Sequence, residues 1–128
     1  MSLSDSKVNP AVGVSDIGRA KEFYEGKLGL TGGEETGDGG VTYECGDGTS
    51  VHVYPSPSAK PSGATLLGWE VDDLEAVVDE LAGNGVSFEQ YDQGPLKTDE
   101  KGIATTPDGD KIAFMKDPDG NVLGVGQS

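Results

Sequence analysis

The sequence is poor in the side chains that most often do chemistry: it has one cysteine, one histidine and one tryptophan. A lone Cys45 excludes an internal disulfide and any cysteine-rich metal centre. No basic or histidine-containing motif accompanies it, so it is expected to be a small buried apolar side chain and not a nucleophile. Positive charge is scarce too: 9 Lys and Arg face 23 Asp and Glu, a formal net charge of −14. Such a surface repels phosphate backbones and anionic membranes, so neither nucleic acid nor a membrane is an expected partner. The same balance suits a very soluble cytosolic protein, including one from a saline setting, or a surface that attracts cationic ligands. No apolar run approaches the ~20 residues of a membrane span, and no charged-then-apolar signal segment opens the chain, so the expected location is the cytoplasm. Also absent are a Gly-x-x-x-x-Gly-Lys phosphate loop, a Gly-x-Gly-x-x-Gly turn and a Gly-x-Ser-x-Gly elbow.

What is there is patterned. With 128 residues and 34% apolar content the chain fits one domain with a modest core. Leu74, Val77, Val78 and Leu81 recur at helical spacing, which predicts a helix over 72–81. Asp72 and Glu75 are spaced as its capping box, and Gly83, Asn84 and Gly85 as its stop. Ile17, Ala20, Tyr24 and Leu28 form a second stripe, predicting a helix over 16–27 with Asp16 as N-cap and Gly29 just past its end.

Each helix follows an extended apolar segment, 8–14 and 65–71, and precedes short strand-like runs bounded by Gly and Asp turns. These runs are 30–35, 41–45 and 50–54 in the first half, and 86–91, 111–116 and 121–125 in the second. The order is strand, helix, three strands, twice over. Pro55 to Gly63, rich in Pro and Ser, reads as the linker between module one (8–54) and module two (64–126) of a single domain over 8–126. Residues 1–7 are polar and are expected to fray. The stretch from Gln90 to Asp110 is too long for a plain connection; it reads as a lid or rim carrying Tyr91 and Lys97, or as a solvated loop with a short strand at 102–106.

The halves also match at two short motifs. Val14-x-Asp16-Ile17 matches Val71-x-Asp73-Leu74, an offset of 57, and Asp47-Gly48 matches Asp119-Gly120, an offset of 72. Two offsets fit a duplicated unit whose second copy has a longer loop. The stretch VGVSDIGRAKEFYEGKLGL, residues 12–30, and the turn FMKDPDGN, residues 114–121, complete the pattern. With these, the chain resembles the vicinal oxygen chelate superfamily, which holds glyoxalase I, extradiol dioxygenases and the bleomycin and fosfomycin resistance proteins.

The resemblance implies an α+β fold: two βαβββ modules forming a curved mixed sheet, with a ligand cleft on its concave side. It also implies where a metal would be held in the metal-dependent members: five residues before the Val of Val-x-Asp, and four after the Gly of the turn. Here those positions read Asn9, Leu66, His52 and Gly124. Transition metals in proteins take three or more donors from His, Cys, Asp or Glu, so no metal and no other cofactor is expected. Carboxylates at Glu44, Glu70 and Glu89 are the remaining donors on strands.

Strand alternation then sorts the cleft. Asn9, Ala11 and Gly13 would face it, with Val8, Val12 and Val14 toward the helix. His52 brings Tyr54, Leu66 brings Gly68 and Glu70, and Gly124 brings Val122 and Gly126, while Leu67, Trp69 and Val71 become core. The ligand-binding candidates are therefore Asn9, His52, Tyr54, Leu66, Glu70, Tyr91, Lys97 and Gly124. A metal-independent protein that binds or sequesters a small organic molecule, cationic by charge complementarity, follows from this set. The alternative is a metal-independent lyase or isomerase with His52 or Glu70 as acid/base, and a third reading is a metal-dependent glyoxalase or dioxygenase. A homodimer is expected by resemblance.

Overall fold

Alternate valines build the first sheet. The computed structural model describes residues 2–92 and 97–128. It divides into two compact units, one ending at Lys60 and the other running from Pro61 to Ser128. In the first, strand β1 (Ala11–Val14) leads into helix α1 (Ile17–Lys21), which continues as a wider π-type turn over Glu22–Lys27. Strands β2 (Thr31–Glu35), β3 (Val41–Glu44) and β4 (Ser50–Pro55) follow. They pair in the order β1-β4-β3-β2, with β1 parallel to β4 and the other pairs antiparallel. Val12, Val14, Val41, Tyr43, Val51 and Val53 are buried on one face, with Ala20, Phe23 and Tyr24 of the helix. Asp16 caps that helix, its Oδ1 accepting from the amides of Gly18 and Arg19.

The second unit repeats the plan. Strand β5 (Thr65–Glu70) precedes helix α2 (Leu74–Gly83), then β6 (Ile103–Thr105), β7 (Lys111–Lys116) and β8 (Val122–Gln127). The order is β5-β8-β7-β6, with β5 parallel to β8. Leu67, Leu74, Val78, Leu81, Met115, Leu123 and Val125 are buried. Register bears out the two sequence offsets: Ala11 pairs with His52 as Gly68 does with Gly124, and Thr42 lies across from His52 as Phe114 does from Gly124. The α+β class and the twofold βαβββ order are as expected. No helix of the described residues is long and apolar enough to cross a membrane.

Five local expectations change. Asp73, not Asp72, caps α2, its Oδ1 accepting from the Ala76 amide, so the helix begins at Leu74. Residues 86–91 form no strand: Phe88 makes a single bridge to Met115, because β6 already pairs with the far half of β7 through Ile103, Ala104 and Thr105. Val8 is 86% exposed, since β1 starts only at Ala11. Cys45 is half-buried at the end of β3, beside an exposed 3-10 turn. Near the start of the chain, Leu3–Asp5 form one exposed 3-10 turn where fraying was expected, with Ser2 bonded to Asp5.

Candidate functional site

The open face of the first sheet carries His52 and Tyr54, two residues apart on β4 and therefore side by side. Their rings lie nearly parallel, 11° apart with centroids at 5.6 Å. Both nitrogens of His52 are engaged: Nδ1 lies 3.0 Å from Thr42 Oγ1 and Nε2 lies 2.8 Å from Asp38 Oδ2. Asp38 sits in the turn between β2 and β3, where it also accepts from the Thr36 hydroxyl and the Gly40 amide. Those bonds, Thr36 first and then His52 and Gly40, hold its carboxyl down at about 2. A carboxylate only accepts, so Nε2 carries the proton and donates to Asp38; on a neutral ring Nδ1 then accepts from Thr42. The ring is thus held in place by a hydrogen bond at each nitrogen.

The open face of the second sheet is different. A hollow of about 510 Å³ lies over β5, β7 and β8, floored by Gly68, Gly124 and Gly126 and walled by Thr65, Phe114 and Ile112, with Glu70 at its rim. Glu70 is exposed and accepts from the Ser128 hydroxyl at 2.9 Å. Space at Gly68 is tight, because a Cβ there would stand 3.2 Å from the Gly124 carbonyl oxygen.

Of the residues expected to bind, Glu70 and Gly124 line this hollow. Tyr91 packs edge-on against the Phe114 ring at 6.0 Å, behind the wall. His52 and Tyr54 share the face of the first unit, where Asn9 is occupied structurally, its Oδ1 accepting from the Ser50 amide at 3.0 Å. Leu66 is displaced: β5 bulges between Thr65 and Leu67, so Leu66 stands 45% exposed and Thr65 takes the place over the hollow. Lys97 is exposed; residues 93–96 of the proposed lid lie outside the described residues. Asp38, Thr42, Thr65 and Phe114 went unnoticed in the sequence. Thr42 and Phe114 were within reach, because each lies across a hairpin from a residue already singled out.

The sequence matches the family model of the Glyoxalase/Bleomycin resistance protein/Dioxygenase superfamily over residues 8–125. The chain belongs to this superfamily. Among solved structures it is similar to TnmS3, an antibiotic binding protein from Streptomyces sp. CB03234, at 29% identity over 98% of each chain with a TM-score of 0.71. A glyoxalase/bleomycin resistance protein from Catenulispora acidiphila shares the fold at 21% identity, over 94% of this chain and 96% of that one, with a TM-score of 0.71. An integron cassette protein from the mobile metagenome of the Halifax Harbour sewage outfall shares it at 17% identity, over 97% and 99% of the two chains, with a TM-score of 0.70. No curated protein matches the chain at a significant level.

Superfamily membership raises the question of a metal, and the donor set answers poorly. Gly124 and Leu66 have no donor atom, the Asn9 carbonyl is held by Ser50, and both His52 nitrogens are held by Thr42 and Asp38. Among the described residues no group of three or more His, Cys, Asp or Glu side chains comes together to hold an ion. The residues present do not fit the divalent cation of the metal-dependent superfamily members.

Proposed function

We propose that this superfamily member binds a small organic molecule without a metal, and that it acts by sequestration. The observation that carries the reading is the second-unit hollow, about 510 Å³ in volume, which lies within the usual range of ligand pockets and joins apolar walls to three charged residues, Glu70, Asp110 and Lys111. The likeness to TnmS3, named an antibiotic binding protein, supports it. A cationic ligand is favoured by the −14 net charge together with Glu70 and Asp110 in the lining, which outnumber its cation Lys111. Sequestration needs no base. The protein is proposed to work in the cytoplasm and as a homodimer, the latter testable by light scattering on the eluting peak.

Native mass spectrometry of protein purified without chelator is the direct test. The expected result is a bound organic mass and no stoichiometric metal; a transition metal at one per chain would overturn the metal-free reading. His52→Ala should change affinity for a co-purified ligand by no more than a few fold, whereas loss of a measured turnover would favour an enzyme.

A further inference from the structure

The first unit holds a chain of three polar side chains in which the hollow has no part. His52 Nε2 donates to Asp38 Oδ2 at 2.8 Å, and the Thr42 hydroxyl donates to His52 Nδ1 at 3.0 Å. A hydroxyl within reach of an imidazole, with a carboxylate orienting that imidazole from its other nitrogen, is the arrangement that activates an oxygen nucleophile. The residues converge through the fold: Thr42 and His52 are cross-strand partners on β3 and β4, and Asp38 reaches the ring from the turn before β3.

The carboxylate is set firmly, since the Thr36 hydroxyl and the Gly40 amide donate to its other oxygen. It therefore meets the ring as an ionised acceptor, able to balance an imidazolium when Nδ1 takes a proton. Fastening the turn needs only the bond between Asp38 and His52; the Thr42 hydroxyl on the far nitrogen is the part a nucleophile supplies. A solute can reach the group, because the side chains of His52 and Asp38 are 27% and 47% exposed and Thr42 is half-buried on the same open face. Charge narrows the solute. Glu34 lies across β2 from Thr42 and Glu44 two residues along β3, both exposed, so anionic acyl donors such as acyl phosphates are repelled. Among neutral and cationic esters an aryl ester asks least of the site, because its phenolate leaves with little help from an acid.

We propose that Thr42, His52 and Asp38 form an acyl-transfer site for neutral or cationic activated esters, with Thr42 as nucleophile, His52 as general base and Asp38 as the positioning residue. The site lies wholly in the first unit and does not depend on the hollow being a ligand site. Thr42 Oγ1 bonds to the acyl carbon as its proton passes to His52 Nδ1; the bond from that carbon to the aryl oxygen breaks, and the phenolate takes the proton from Nδ1. Water then adds to the acyl carbon and gives a proton to Nδ1. The bond to Thr42 Oγ1 breaks, and Oγ1 takes that proton back. The sum is ester and water to acid and phenol.

The experiment follows nitrophenol release from para-nitrophenyl acetate by the wild-type chain and by Thr42→Val, Thr42→Ser, His52→Ala and Asp38→Asn, with melting temperature recorded for each. Acid-quenched samples are mapped by peptide mass spectrometry for the acetyl group. The wild type is expected to carry acetyl on Thr42 and to release nitrophenol about a hundredfold faster than Thr42→Val or His52→Ala. Thr42→Ser should keep the activity, which separates loss of the hydroxyl from loss of the fold. Asp38→Asn should lower kcat with KM unchanged. Equal rates in wild type and Thr42→Val overturn the proposal, whether His52→Ala is active or not, because the hydroxyl then takes no part. Acetyl on lysine, Cys45 or His52 in place of Thr42 overturns it as well. A wild type no faster than buffer overturns the acyl-transfer site and leaves the ligand reading of the hollow standing.

Discussion

His52 and Gly124 occupy one position in two copies of the same sheet. The parallel neighbour is Ala11 for the first and Gly68 for the second, and the antiparallel neighbour is Thr42 for the first and Phe114 for the second. In one copy the position is filled by a ring tied down at both nitrogens; in the other it is bare. The duplication has thus given one filled face and one hollow face from the same backbone register.

The tie between Asp38 and His52 should show in acid. The Asp38 carboxyl is held from its ordinary 3.8 down to about 2, so its contribution is fully present above 3.8 and lost as pH falls toward 2. Urea midpoints of wild type and Asp38→Ala should therefore differ at neutral pH and converge between those two values. Parallel curves down to pH 2 would show that the turn does not depend on the carboxylate.

Two glycines in strand regions should respond in opposite ways. Gly124→Ala is expected to stabilise the fold by about 0.5–1 kcal/mol. Gly40→Ala is expected to destabilise it by on the order of 3 kcal/mol, because its Cβ would stand 2.3 Å from the Val53 carbonyl oxygen. Thermal and urea unfolding of the two variants would give both signs in one experiment.

The start of α2 offers a test of neighbouring carboxylates. Asp73→Ala removes the acceptor for the Ala76 amide and should cost about 1 kcal/mol. Asp72→Ala touches no cap bond among those seen and should stay within about 0.5 kcal/mol of wild type.

Tyr43 is fully buried with its hydroxyl donating to Glu25 at 2.7 Å. Burial first, then the Glu25 bond and charge, raise its phenol above the ordinary 10. The neutral form is the folded one, so this contribution is complete below pH 10 and lost as pH rises past it. Tyr43→Phe should cost about 1 kcal/mol at neutral pH, and the gap to wild type should narrow in alkali.

The fold was legible where chain geometry repeats. Two helical stripes, alternate valines and two offsets between the halves are all local patterns, and the backbone register reproduces them. The bulge at Leu66 was not legible, because one extra residue changes which of two neighbours faces the hollow while leaving composition untouched. Asp72 and Asp73 are equally good caps by type, and only the start of helical geometry chooses between them. Residues 86–91 read as a strand because Val86, Phe88 and Tyr91 are spaced along an extended run, yet a strand also needs a free edge, and β6 had taken half of it. At the site, His52 was visible as the one histidine, but its engagement was hidden: Asp38 reaches it from a turn 14 residues earlier in the chain.

The bare position at Gly124 also has a meaning in the genetic code. Every glycine codon becomes an aspartate or glutamate codon by changing its second base, and β8 is tolerant there because a Cβ meets no backbone closer than 3.9 Å. One mutation therefore puts a carboxylate on this strand, without rebuilding the turn or the register before it. A mutational library at this codon would therefore place both small and acidic side chains over the hollow in a single step, with the backbone register left as it is.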